Sequence, residues 1–282
     1  MKKVSVVITT YKKPERLKKA IQTVFGQTYK DLEIIVADGS NLKENEEIAN
    51  SFSVDYVSVE PEFVDASFWK GVQHTRNIGC NKACGKYIAM LDDDDVWKPT
   101  KIEKQVQLME KAKADMSVCY DRTESNNKII ENKPKMNPRY KDLLSSFNFS
   151  STSSYVIKKD VFEKIGIWNE HIRGMHEYDL ALRIAKNDYK IVVVPEFLTF
   201  RKSSTGRFSF FIKIAEVLDF WKGYGEDFIL YLGVKGFILN SFKTIALFGT
   251  FLLGYIIKEK VWNIIYPLKM LYEQGGNKCI TS

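Results

Sequence analysis

The stretch YIAMLDDDDVWKP, Tyr87–Pro99, sets four consecutive aspartates directly behind a short apolar run. An apolar run of this length, closed by a polar break, reads as a strand buried on both faces, the pattern of a parallel sheet. Four adjacent carboxylates repel one another, and such a charge run is commonly a solvated face. At the carboxyl end of a parallel strand a second reading opens, because ligands of open α/β sheets bind just outside those ends. Carboxylates clustered there are tolerable when a divalent cation neutralises them. Mg2+ and Mn2+ take oxygen ligands and bind through one or two carboxylates plus substrate phosphates. The run therefore points to a metal–diphosphate site without naming a reaction.

The surrounding pattern supports a parallel sheet. VSVVIT (Val4–Thr9) is a β-branched run, PERLKKAIQTVFGQ carries Leu17, Ala20, Ile21, Val24 and Phe25 at helical spacing behind Pro14, and LEIIVADGS (Leu32–Ser40) is a second strand. Strand, helix and strand in about forty residues make a βαβ unit. HTRNIGCNKACG reads as a helix running to Gly85, and Thr100 with Glu103 forms a capping-box pattern ahead of the stripe Ile102, Val106, Met109. Residues 121–140, polar with two prolines, read as a mobile loop. TSSYVIKKDVFEKIG gives a strand and a short helix capped by Asp160 and closed by Gly166, EYDLALRIAK a helix, and YKIVVVPE a strand.

The 282 residues, 45% hydrophobic, suffice for one large α/β domain with an appendage. The net charge of +7 favours acidic ligands or surfaces. Cys80, Cys84, Cys119 and Cys279 have no framework spacing and suit reduced thiols of a cytosol; Cys80 and Cys84 share a helix face, but two thiols do not make a zinc site. The N-terminal apolar stretch is broken too early by Lys12, Lys13 and Pro14 to be a secretory signal. From about Phe208 long apolar and aromatic stretches alternate with single lysines, and residues 201–282 hold eleven Lys+Arg against six Asp+Glu. Thr244–Ile257, fourteen residues, is short of the roughly twenty that cross a bilayer. Helices in the membrane interface, a hydrophobic dimer interface, or a helical extension of the core are the readings of this tail.

Three motifs in order, SVVITTYKKPERLKKAIQTVFGQTYKDLEIIVADGS, TRNIGCNKACGKYIAMLDDDDVWKP and HEYDLALR, resemble the signatures of inverting family-2 glycosyltransferases of the GT-A fold, over about residues 1–200. The resemblance implies an α/β catalytic domain over residues 1–205, Rossmann-like, with a mostly parallel central sheet flanked by helices; the composition beyond it leaves a helical, basic and apolar extension over 206–282. It implies that Thr9 and Tyr11 line a nucleotide pocket, that Asp38 accepts a hydrogen bond from the base, and that Arg76 lies near the nucleotide. The family usually has an acid where this chain has Ala37. Asp92 and Asp94 match the Asp-x-Asp pair: Asp92 facing ribose or sugar and contributing to the metal, Asp94 as main ligand of Mn2+ or Mg2+. Asp93 touches ribose or caps the next turn, which Asp95 also caps.

The acid that acts as base falls on Glu177, where the family has Asp, with Asp179 as the alternative. Asp179 also precedes Arg183 by four, the spacing of a helix ion pair. His176 contacts the acceptor or starts the helix. FRKS (Phe200–Ser203) lacks the family's histidine, leaving Arg201 or Lys202 for the diphosphate, and Trp168 stacks on an acceptor sugar or belongs to the core. The expected activity is transfer of a sugar from a nucleotide-sugar, UDP-linked in the usual case, to a saccharide or lipid-linked acceptor in cell-surface polysaccharide synthesis. Its place is the cytoplasmic face of a membrane, with no nucleic-acid partner and a homodimer as a further option. Two rival readings are a catalytically silent nucleotide-sugar-binding partner and an aspartate-dependent phosphoryl-transfer enzyme. The latter carries Asp-x-Asp on its first strand, which here ends Thr9-Thr10-Tyr11.

Overall fold

The computed structural model describes residues 3–60, 68–125, 128–145, 149–172, 175–202 and 223–227. In chain order the elements are β1 (Val4–Thr10), α1 (Pro14–Phe25), β2 (Leu32–Asp38), α2 (Lys43–Ser51), β3 (Asp55–Ser58), α3 (Phe68–Lys82), β4 (Tyr87–Asp92), β5 (Asp95–Trp97) and α4 (Lys101–Ala112). There follow β6 (Met116–Ser125), β7 (Lys128–Asn132), α5 (Tyr140–Ser145), a 3-10 helix (Thr152–Ser154), β8 (Val156–Lys158), α6 (Lys159–Ile165), α7 (His176–Lys186) and β9 (Ile191–Lys202).

The strands form one nine-stranded sheet in the order β3-β2-β1-β4-β8-β6-β9-β5, with β7 on β6. β1 runs parallel to β2 and β4, β2 to β3, and β6 to β9. β8 lies antiparallel between β4 and β6, so β6 and β9 point the same way as the first four strands, and β5, β7 and β8 run against them. The mostly parallel sheet expected from the sequence is present, with counter-running strands confined to its carboxyl half and edges.

The apolar runs are explained by helices on both faces. Val4, Val6 and Ile8 of β1 pack with Leu17 and Ile21 of α1 and Ile102 and Val106 of α4, while Val7 faces Cys80 of α3 and Leu180 of α7. Each face removes one parity of the strand from water, so alternation vanishes from the sequence. α3 approaches β1 and β2 closely at Gly79, where an added Cβ would stand 2.5 Å from Val7 Cγ1 and 3.0 Å from Ala37 Cβ.

Several local expectations are corrected. Residues 121–140 are not an open loop: β6 reaches Ser125 and pairs antiparallel with β7, Asp121 opposite Asn132. β7 is exposed along almost its whole length, so no buried alternation announced it. Thr100 makes no capping bond, and Glu103 accepts instead from the Thr28 hydroxyl at 2.7 Å. α6 starts at Lys159 without a side-chain cap, with Asp160 in its first turn, and ends at Gly166 with φ +79°. Cys84 lies beyond the end of α3 and is exposed, whereas Cys80 is buried, so the two do not pair. α2, β3, β5 and α5 have no counterpart in the sequence reading.

Of the tail, only residues 223–227 are described, a helical turn whose Tyr224 hydroxyl donates to Asp179 Oδ1 at 2.6 Å. The interfacial-helix and dimer readings lie otherwise outside the described residues. Among the described residues no helix is long and apolar enough to cross a membrane.

Candidate active site

The register sets Thr10 beside Asp38 and Thr9 beside Asp92, so the carboxyl ends of β1, β2 and β4 finish level. Each strand end is tied to the next. The Thr9 hydroxyl donates to Asp92 Oδ1 at 2.7 Å, the Thr10 hydroxyl to Asp93 Oδ2 at 2.7 Å, and the Asp93 N–H to the Thr9 carbonyl at 3.0 Å. From behind, the buried Arg76 guanidinium donates through Nη2 to both Asp92 oxygens at 3.0 and 3.1 Å. Its other face rests on the Trp168 ring, 4.8 Å from the centroid. Arg76 holds this position because α3 is drawn onto the sheet at Gly79, one turn along. Trp168 is itself buried and stacked on Tyr155, so it belongs to the core and serves the site through Arg76, not as an open sugar platform.

The four aspartates divide by environment. Burial, with the charges of Asp94 and Asp92 behind it, pushes the Asp93 carboxyl up to about 6 against the Thr10 bond. Asp94 is also raised, by burial and then Asp92, although Arg16 Nη1 stands 3.5 Å away. Asp95 is buried and raised well above the ordinary range by burial and Asp92; Arg201 Nε at 3.7 Å relieves it in part. Burial is the largest cause in all three, and the neighbouring carboxylates add to it.

For a hard cation, Asp94 is the best placed of the four. Its side chain is 28% exposed and its ion-pair partner is Arg16 at 3.5 Å, whereas Asp92 spends its oxygens on Thr9 and Arg76. Among the described residues no three His, Cys, Asp or Glu converge as a metal cage. Asp94 and Asp92 are oxygen donors of the kind Mg2+ and Mn2+ take through one or two carboxylates.

Across the site, Glu177 in the first turn of α7 accepts from the Thr152 hydroxyl at 2.7 Å. Burial works against its charge, but His176, Arg76 and the Thr152 bond outweigh it and hold the carboxyl down to about 2. Burial keeps His176 down at about 4, so at pH 7 the imidazole is neutral and Arg76 and Thr152 do the holding. Glu177 lines a cavity of about 250 Å³ with Ser151, Asn132 and Arg201.

Two of the expected site residues are engaged within the protein. Asp179, the alternative base, is buried with both oxygens taken, by Arg183 Nε at 2.9 Å and the Tyr224 hydroxyl at 2.6 Å. Arg183 donates onward to the carbonyls of Ile165, Gly166 and Ile167, so Asp179 anchors the α6–α7 connection. Asp38 is fully buried and accepts five bonds, from Ser40 N–H and Oγ, Leu42 N–H, Asn45 Nδ2 and the Tyr56 hydroxyl. These bonds make Asp38 the organiser of the loop after β2. Tyr11 is 43% exposed at the same rim, Lys12 Nζ over its ring at 5.1 Å.

Three supporting groups escaped the sequence reading: Thr10, Thr152, and Ser153, whose hydroxyl accepts from the Asp92 N–H at 3.0 Å. The run SSTSS (Ser150–Ser154) was the available signal, four serines and a threonine just before a strand.

A curled α/β sheet with a carboxylate cluster at its leading strand ends defines the class: a GT-A fold. S. aureus TarS 1-349 in complex with UDP-GlcNAc superposes with a TM-score of 0.60 at 11% identity, covering 78% of this chain and 66% of that one. The mannosyltransferase PcManGT from Pyrobaculum calidifontis, in complex with GDP-Man and Mn2+, gives 0.56 at 15%, covering 79% and 63%. Residues 5–166 match the model of Glycosyl transferase family 2, and the chain belongs to that family. An uncharacterized glycosyltransferase of Methanocaldococcus jannaschii is 34% identical over 203 residues, 69% of each chain. The UDP-Glc:alpha-D-GlcNAc-diphosphoundecaprenol beta-1,3-glucosyltransferase WfaP of Escherichia coli is 32% identical over 117 residues, 42% of this chain and 45% of that enzyme.

Proposed function

We propose that this protein is an inverting glycosyltransferase that moves a sugar from a nucleoside diphosphate, UDP in the first instance, to a hydroxyl of a lipid-linked saccharide at the inner face of a membrane. The observation that carries the reading is the arrangement around Arg76: one buried guanidinium balances Asp92 on the donor side and bears on the Glu177 carboxylate on the other. A leaving diphosphate and a base are thereby given one common electrostatic hinge. The UDP-sugar and lipid-linked acceptor classes are supported by what the TarS and WfaP names state of those proteins.

Asp94, with Asp92 beside it, would hold Mn2+ or Mg2+. When bound, that ion supplies Lewis-acid stabilisation of the charge developing on the diphosphate. The chain's own part follows from its geometry. Thr9 and Arg76 orient Asp92, and Thr10 pins Asp93, so the strand end presents a fixed edge to the donor. Glu177, ionised at neutral pH, takes the proton of the acceptor hydroxyl as its oxygen attacks the anomeric carbon from the face opposite the diphosphate. The anomeric C–O bond to diphosphate breaks with its electron pair leaving on that oxygen, and configuration inverts. Diphosphate arriving beside Arg76 competes with Glu177 for the same cation, which raises the basicity of the carboxylate when it is needed.

The test is turnover of a UDP-sugar panel with lipid extract as acceptor, with Mn2+ present. Glu177→Gln is expected to slow transfer by about 10²–10⁴-fold, the usual contribution of a general base, while UDP binding by calorimetry stays within twofold. Full transfer by Glu177→Gln overturns the assignment of the base.

A further inference from the structure

We propose that the β6–β7 hairpin is a membrane-docking edge: Ile129 and Ile130 enter the head-group layer of a bilayer containing anionic lipid, and the basic residues around them hold it there. The inference deepens the proposed function and rests on its acceptor being lipid-linked.

Among the described residues Ile129 and Ile130 are the most exposed of the large apolar side chains, at 69% and 57%. They are neighbours on β7, so one stands on each face of the strand. β7 pairs with β6 alone among the described strands, which leaves its outer edge open. A flat protein surface laid on one face would cover one isoleucine and leave the other in water. A further strand added along the edge would leave both faces in water. A head-group layer that the hairpin enters end-on covers both at once. Met136, also exposed, lies in the run that follows β7.

The charge around the isoleucines fits an anionic surface. Residues 122–142 hold six Lys and Arg against three Asp and Glu. Lys128 is exposed next to Ile129. Glu131, next to Ile130, is shared by Arg122 Nη2 and Lys133 Nζ, each at 2.8 Å, so this cluster keeps one positive charge over. Asp142 is likewise shared by Lys135 at 2.6 Å and Arg139 at 3.9 Å. The third acid is Glu124, opposite Ile129 in the register. Basic residues beside apolar anchors are the combination that a negatively charged leaflet attracts.

The position of the hairpin joins this edge to the chemistry. β6 runs in the direction of β4, since β8 lies antiparallel to both, so the hairpin extends from the end of the sheet that carries Asp92–Asp95. Ile129 stands three residues, about 10 Å along the strand, beyond Asn132, which lines the cavity with Glu177. Interfacial segments bury about 5–10 Å into the boundary of head groups and acyl chains. An inserted tip therefore brings Glu177 to the level at which a saccharide carried on lipid is presented.

Co-sedimentation of the full chain with vesicles of phosphatidylcholine, alone or mixed with phosphatidylglycerol, tests the proposal. The wild type is expected to prefer the mixed vesicles. Ile129→Ser with Ile130→Ser is expected to weaken that binding at least about tenfold, and Lys128→Gln with Lys133→Gln about tenfold, the melting temperature being unchanged in both. An environment-sensitive fluorophore on Ile130→Cys, in a chain that also carries Cys84→Ser and Cys279→Ser, is expected to shift to the blue on the mixed vesicles. The same label on the exposed Cys84, at the opposite end of β4 and with Cys279→Ser, is expected to stay unshifted. Binding undiminished in the isoleucine variant, equal binding to both kinds of vesicle, or an unshifted label at position 130 overturns the proposal. Vesicle binding by a chain that transfers no sugar would uphold the docking edge and contradict the proposed function instead.

Discussion

Arg76 shows how much rests on one side chain. It is buried, it neutralises Asp92, and among the described residues no other cation pairs with that carboxylate. Removing one partner of a buried pair leaves an uncompensated charge, typically worth 3–5 kcal/mol. Asp92 is 28% exposed, so Arg76→Ala should cost about 3 kcal/mol, read by urea unfolding, and Asp92→Asn in the same background should recover part of it. No recovery would mean that the loss comes from packing on Trp168. Lys101 presents the opposite case. It is fully buried, its Nζ over the Trp97 ring at 4.0 Å and without a hydrogen-bond partner among the described residues. Burial pushes it down to about 8 from 10.5. The unfolded chain then binds more protons between pH 8 and 10.5, so stability rises with pH across that window. Lys101→Met should remove this slope and be the more stable protein at pH 7, read by urea unfolding. An identical pH slope in both proteins would contradict the buried ammonium.

At the scale of elements, the first turn of α7 separates two carboxylates that a motif alone leaves together. Glu177 points to the cavity and Asp179, two positions on, turns to Arg183 and Tyr224. Asp179→Asn should lower the melting temperature yet leave the kcat of the folded fraction within about threefold; a loss as large as that of Glu177→Gln would restore Asp179 as base. Helical periodicity already separated the two faces, but only the fold shows which face meets the site. The same limit recurs elsewhere. β1, β2 and β4 were legible because burial on both faces demands an unbroken apolar run. β7, KIIEN, was not, since its pairing with β6 leaves the side chains in water. Ser153 supports Asp92 from 61 positions away, and no local pattern encodes such a meeting. The donor-side aspartates were visible from their own repulsion; Asp38, in the same kind of position, is exhausted by five local donors that only coordinates reveal.

For the molecule as a whole, the sheet acts as an organiser of charge. Its level strand ends gather Asp92–Asp95, α3 brings Arg76 beneath them, and the first turn of α7 sets Glu177 across the site. Asp93, Asp94 and Asp95 are all raised, by burial first and by neighbouring carboxylates after it. The central claim of the proposed function is that a divalent ion at Asp94 and a nucleoside diphosphate bind together at these strand ends. Calorimetric titration with UDP, with and without Mn2+, on the wild type and on Asp94→Asn tests it most directly. The account predicts tight UDP binding only when Mn2+ is present, and at least a hundredfold weaker binding in Asp94→Asn. Equal affinity without the metal, or in the variant, would contradict it.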